Sequence, residues 1–172
     1  MQVWTIGHSN QPLRAFLSTL VAHDIALVAD VRRFPASRRH PHFAQHALAA
    51  SLQEQGIGYE HFPELGGRRS ARKHSHNTAW QNTSFRGYAD YMETREFEEG
   101  IARLQAHAAE QRTAIMCAEL LWWQCHRSLL SDYFKAHGHD VVHLISPTKQ
   151  EPHPYTSAAS IVDGRLSYRG LL

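Results

Sequence analysis

The chain carries only two cysteines in its 172 residues, and it has no long apolar run and no low-complexity tract. No segment approaches the roughly 20 apolar residues of a membrane span. The first apolar run, residues 3–6, is too short for a signal peptide and lacks the basic flank of one. The expectation is a cytoplasmic protein that does not enter a membrane. Two cysteines eight positions apart make no disulfide framework. In a reducing compartment such a pair is more often buried, reactive or metal-binding than bridged. No repeat and no linker interrupts the sequence. A single domain over 1–172 is therefore expected, with a core over about 1–145 and a tail over 146–172.

Strong charge of one sign is also missing. The formal net charge of +2 is too mild to imply nucleic acid by itself. The charge is uneven, however: Arg32, Arg33, Arg38 and Arg39 fall in one short stretch, and Arg68, Arg69, Arg72 and Lys73 in another. These are either solvated loops or two loops that face a phosphorylated ligand or a polyanion.

The hydrophobic pattern alternates strands and helices. Strands are predicted over 2–6, 25–31, 57–62, 113–117 and 141–145. Pro12 opens a helix whose apolar residues Leu13, Phe16, Leu17, Leu20 and Val21 recur at helical spacing. Further helices are predicted over 43–55, around Phe85, Tyr88 and Met92, after a Thr94 cap, and over 126–137. Residues 63–82 show no periodicity and read as a long loop. Asp163-Gly164 between short apolar runs signals a hairpin. Strands apolar on both faces and separated by helices predict a three-layer α/β fold. Its sheet is mostly parallel and flanked by helices, with a C-terminal hairpin extension.

Parallel sheets concentrate ligand sites beyond the carboxyl ends of their strands, and three strands here end in chemically capable motifs. In Gly7-His8-Ser9-Asn10 the glycine permits a tight turn, and Ser9 or Asn10 can cap the following helix. His8 at the crevice mouth could contact a ligand or shuttle a proton. Asp30-Val31-Arg32-Arg33 places opposite charges on one side of a strand end. They form an ion pair that orients the next loop, and Arg32 is suited to bidentate recognition of phosphate or carboxylate. The third motif is Cys117-Ala118-Glu119, followed by Cys125-His126-Arg127 at a helix start. Free backbone N–H groups there favour an anion and lower the pKa of a thiol.

Several readings of this last segment stay open. Cys117 can be a buried small hydrophobe. Cys117, Glu119, Cys125 and His126 are metal-ligand types, but adjacent Cys-His ligands are awkward and the C-x2-C spacing of zinc sites is absent. C-x7-C is not the C-x-x-C of thioredoxin-type redox motifs. The leading functional reading is a nucleophile or polar contact in an anion-binding pocket, with Cys125 better placed than Cys117. No metal site and no cofactor is assigned. The Leu120-Leu121-Trp122-Trp123 run is odd for a loop and reads as a pocket cover or a subunit contact.

Taken together, Thr5-Ile6-Gly7-His8-Ser9, Asp30-Val31-Arg32 with Pro35 and Ser37, Leu65-Gly66-Gly67, Tyr88 with Tyr91-Met92, and Met116-Cys117-Ala118-Glu119 with Cys125-His126-Arg127 form a pattern. It resembles the widespread bacterial family called domain of unknown function 488. The resemblance covers about the first 145 residues and implies an α/β domain with a shared polar site. Where it implies a small polar or proline-containing linker, this chain has Leu-Leu-Trp-Trp-Gln. The expectation is an enzyme, a hydrolase or transferase, acting on a phosphate-bearing small molecule, nucleotide or nucleic-acid end. Catalytic candidates are Cys125, Cys117, Glu119, His8 and Asp30. Ligand-binding candidates are Ser9, Arg32, Arg33, Gly66, Gly67, Tyr88, His126 and Arg127. The rival expectations are a nucleic-acid-binding module with structural Cys and His residues, and a metal-binding protein.

Overall fold

A computed structural model describes residues 1–170. Eight strands and five α-helices follow one another as β1 (Gln2–Gly7), α1 (Leu13–Ala22), β2 (Leu27–Asp30), α2 (Gln45–Glu54), β3 (Gly58–His61), α3 (Thr83–Tyr91), α4 (Arg95–Glu110), β4 (Thr113–Cys117), α5 (Arg127–Ala136), β5 (Asp140–Ser146), β6 (Lys149–Pro152), β7 (Ser160–Val162) and β8 (Arg165–Ser167). The first six strands form one sheet in the order β3-β2-β4-β1-β5-β6, parallel except for the edge strand β6. The strands β7 and β8 form a separate hairpin, whose turn places Asp163 and Gly164 at φ 51° and 76°. The three-layer α/β fold expected from the periodicity is present.

The two sheet faces bury different helices. Trp4, Ile6, Val28, Ala114 and Met116 pack with Phe16, Leu20, Leu48 and Leu52 of α1 and α2. Val3, Ala29, Ile115 and Cys117 pack with Tyr88, Phe97, Leu104, Leu129 and Phe134 of α3, α4 and α5. Connections that travel from β1 toward β3 use the first face, and those that travel back toward β5 use the second. Right-handed crossovers require this exchange of faces. The neighbours β1 and β4 therefore send their chains to opposite faces, and a crevice opens between their carboxyl ends.

One expectation about a boundary needs correction. No Ser9 or Asn10 side chain caps α1; Pro12 is the N-cap residue, and Gln11 instead reaches back to the Gly7 carbonyl at 3.1 Å. A further strand, β6, which was not expected from the sequence, pairs with β5 at the sheet edge. Its sequence, Lys149-Gln150-Glu151-Pro152, is polar because an edge strand has one solvated side.

Candidate functional site

The sheet order makes β2, β4 and β1 consecutive neighbours, so the three strand-end motifs surround one crevice of about 440 Å³. His8, Arg32, Arg33, Gly67, Tyr88, Cys117, Glu119, Cys125 and His126 all line it. Among the other expected site residues, Ser9 turns away toward Asn10, and Asp30, Gly66 and Arg127 lie behind the lining. The lining also includes Arg68, Phe34, Gln124 and Ser84, which were not singled out from the sequence as site residues.

Three glycines set the close approaches. The β1–β4 pairing continues past both strands, with His8 N donating to Cys117 O at 3.0 Å and Ser9 N to Ala118 O at 2.9 Å. A Cβ on Gly7 would stand 1.8 Å from the Glu119 carbonyl oxygen, so only glycine fits between these loops. Gly66 abuts the Arg33 backbone, and a Cβ on Gly67 would stand 2.9 Å from His126 Nδ1.

Arg32 is buried and largely occupied. Its Nε and Nη2 donate to the two oxygens of Asp30, at 2.9 and 2.7 Å, and Nη1 donates to Phe43 O at 2.7 Å. Asp30 also accepts from Arg32 N and from the Tyr59 hydroxyl. The ion pair that orients the loop is thus realised, and little of Arg32 is left for a ligand. His8 Nδ1 lies 2.8 Å from Ser9 O and Nε2 lies 3.3 Å from Arg32 Nη1. With the proton on Nδ1, Nε2 accepts from the guanidinium. Burial pushes the His8 pKa down to about 4, with Arg32 adding to the fall, so the ring is neutral at pH 7.

Arg127 is also turned inward. Only 1% exposed, it donates from Nη2 to the Glu119 and Leu120 carbonyls, both at 3.1 Å, and from Nη1 to Thr5 Oγ1 at 3.4 Å. Its Nε has no partner among the described residues, and no carboxylate pairs with it. The cysteine Sγ atoms lie 2.8 Å apart, and Arg127 N donates to Cys125 Sγ at 3.3 Å. Burial alone would raise the Cys117 pKa. The bond from the Cys125 thiol and the Arg127 charge outweigh burial and lower it to about 7. Burial and the neighbouring Cys117 push Cys125 well up. The helix start was expected to favour Cys125, whereas the contact between the two sulfurs and the Arg127 charge favour a thiolate on Cys117. Both sulfurs are buried and face each other, and either can donate in the contact; a thiolate on Cys117 would accept from the Cys125 thiol. A neutral Cys117 can instead donate to Glu119 O at 3.6 Å, a contact that favours the thiol.

His126 donates from Nε2 to Val31 O at 2.9 Å, and burial holds its pKa near 4. Tyr88 donates to Leu65 O at 2.8 Å, which fixes the Gly66-Gly67 turn against α3. Glu119 is exposed at the rim, and its backbone carbonyl rather than its carboxylate holds Arg127.

The two basic runs divide their labour. In the second, Arg69 stacks on Tyr91 at 3.7 Å and Arg72 bonds Glu93 and Asp90. Arg68 remains, exposed and facing the crevice at a φ of 60°. In the first run Arg32 is internal and Arg33 lines the crevice, with its Nη1 donating to Arg68 O at 2.9 Å. No carboxylate pairs with Arg33 or Arg68 among the described residues.

The pocket-cover reading of the Trp pair holds for neither ring. Trp122 lies flat on His143, with ring centroids 4.7 Å apart and planes 4° apart, and Trp123 points outward, 51% exposed. Beneath Trp122 runs a buried chain that the sequence did not disclose. Thr5 Oγ1 meets His143 Nδ1, His143 Nε2 meets His153 Nδ1 at 2.8 Å, and His153 Nε2 meets Asp132 Oδ1 at 2.8 Å.

A family model described as a domain of unknown function, DUF488, matches residues 12–134. The chain belongs to this family. No curated protein and no solved structure matches it. In this DUF488 chain the matched span holds the Asp30-Arg32 pair, both glycines of the 66–67 turn and the whole cysteine segment. His8, His143 and the Asp132 partner His153 lie outside it. Among the described residues no group of three or more His, Cys, Asp or Glu side chains is arranged to hold a metal ion. Among the described residues no helix is long and apolar enough to cross a membrane.

Proposed function

We propose that this chain is an enzyme, a hydrolase or transferase, that binds a phosphate-bearing ligand in the crevice at the carboxyl ends of β1, β2 and β4. The ligand is a nucleotide, a sugar phosphate or a nucleic-acid end. The observation that carries the reading is the placement of Arg33 and Arg68, one from each basic run, on the wall of the crevice that also holds Cys117. Neither pairs with a carboxylate among the described residues, so both charges are open to an anion, with Arg33 keeping one donor on Arg68 O. Arg32 and Arg127, the first choices on sequence grounds, act instead as the frame.

Cys117 is the nucleophile in this reading, since a thiolate and not a thiol attacks. Glu119 at the rim is the acid/base group, and neutral His8 and His126 line the wall. A thermal-shift screen of the reduced protein against inorganic phosphate, nucleotides and sugar phosphates tests the reading. A ligand at one hundred times its Kd adds about 2.7 kcal/mol, which is roughly 5–10 °C for a chain of this size. No shift with any of them counts against the proposal. Equal, strongly salt-dependent binding of any DNA or RNA, unchanged in Cys117→Ser, favours a non-catalytic nucleic-acid module instead.

A further inference from the structure

The two cysteines are not spaced as a redox motif, yet the fold brings them into contact. Cys117 ends β4 and Cys125 lies two residues before α5, so residues 118–124 form a closed loop whose ends already meet. The Sγ atoms are 2.8 Å apart at the wall of an open crevice, and Arg127 supplies a buried positive charge that pairs with no carboxylate among the described residues. A cation in that position stabilises a thiolate, and a second thiol in hydrogen-bond contact is the partner that a sulfenic acid needs. We propose that Cys117 and Cys125 form a peroxide-reactive dithiol that closes reversibly to an internal disulfide.

The chemistry balances in three steps. The Cys117 thiolate attacks one oxygen of a hydroperoxide. An S–O bond forms, the O–O bond breaks, and the second oxygen leaves as hydroxide or alkoxide and takes a proton from water. Cys125 then attacks the Cys117 sulfenic acid. The S–S bond forms, the S–O bond breaks, and the hydroxyl leaves with the Cys125 proton as water. The two thiols together lose two electrons, which the peroxide gains. An external dithiol returns the electrons by thiol–disulfide exchange and restores both thiols. Disulfides in a reducing compartment are usually transient in this way. Closure also removes the thiolate from the ligand crevice, so oxidation switches off any chemistry that depends on Cys117. The inference uses no property of the ligand and stands apart from the proposed phosphate site.

The test is direct, because the chain has no third cysteine. The full-length reduced protein is treated with equimolar hydrogen peroxide, denatured in an alkylating agent and weighed intact. The expected product is a monomer that has lost two hydrogens, takes no alkyl group, and recovers both thiols in dithiothreitol. Cys125→Ser should stop at a sulfenic acid that dimedone traps on Cys117, formed about tenfold faster than on a free cysteine at pH 7. Cys117→Ser should react no faster than a free cysteine. Two free thiols after treatment, a disulfide-linked dimer, or dimedone labelling at Cys125 in Cys117→Ser faster than on a free cysteine would each overturn the proposal. Circular dichroism of both variants confirms folding. Phosphate binding by the reduced protein is read separately, so failure of one proposal leaves the other standing.

Discussion

Arg127 and Asp132 are buried charges of opposite sign on the same helix, five residues apart, and they do not touch. Thr5, His143 and His153 bridge them. With one proton on each imidazole, every bond in the chain runs the same way. Arg127 donates to Thr5, Thr5 to His143, His143 to His153, and His153 to Asp132. The arrangement ties β1, β5 and the segment after β6 to α5. It also makes the residues beyond 146 part of the body of the molecule, because Thr156 and Tyr168 complete the Asp132 hydrogen bonds.

Asp132→Ala should therefore cost about 3–5 kcal/mol, because removing the carboxylate leaves buried donors on His153, Thr156 and Tyr168 without an acceptor. Urea unfolding monitored by tryptophan fluorescence measures this loss. A change within 1 kcal/mol would mean that the bridge is not formed.

Acid should weaken the fold well above the carboxylate range. Burial holds His8 and His126 near pKa 4 and His143 near 2 in the folded chain, whereas an unfolded histidine titrates near 6.5. Between those values the unfolded chain binds more protons, so stability falls as pH falls. The contribution of the three neutral rings is complete above about pH 6.5 and is lost progressively toward pH 4 and below. Each ring sets a slope of up to about 1.4 kcal/mol per pH unit. Denaturant midpoints from pH 7 to 4.5 measure it, and His143→Gln should flatten the curve.

Gly7→Ala should be among the most damaging small substitutions. The added methyl lands on the Glu119 carbonyl, so the β1 and β4 loops must part, at a cost of about 3 kcal/mol or more. Gly138→Ala is the control. Nothing lies near its missing Cβ, and only its positive φ resists the change. Thermal melts of the two variants should show a much larger fall for Gly7→Ala.

Local features were legible in the sequence. The bounds of β4 match, Thr94 caps α4 by accepting from Phe97 N, and Asp163-Gly164 makes the hairpin turn. The convergence of three strand ends was expected only if those strands are parallel neighbours, and the sheet order makes them so. What escaped depends on partners remote in sequence. Arg32 is bound by Phe43 O as well as by Asp30, His143 meets Thr5 from 138 residues away, and Cys117 meets Cys125 at 2.8 Å across the loop. A charge count cannot separate Arg33 and Arg68, which face the crevice, from Arg69 and Arg72, which pack on Tyr91 and Glu93.

The division between framing and free arginines is the centre of the account, and phosphate binding at low salt tests it. Arg33→Ala and Arg68→Ala should each keep the melting temperature of the free protein and weaken phosphate-ester binding roughly tenfold to a hundredfold, the worth of a charge-assisted hydrogen bond. Arg72→Ala, whose guanidinium bonds Glu93, should bind as the wild type does. Unchanged affinity in both Arg33→Ala and Arg68→Ala would contradict the account.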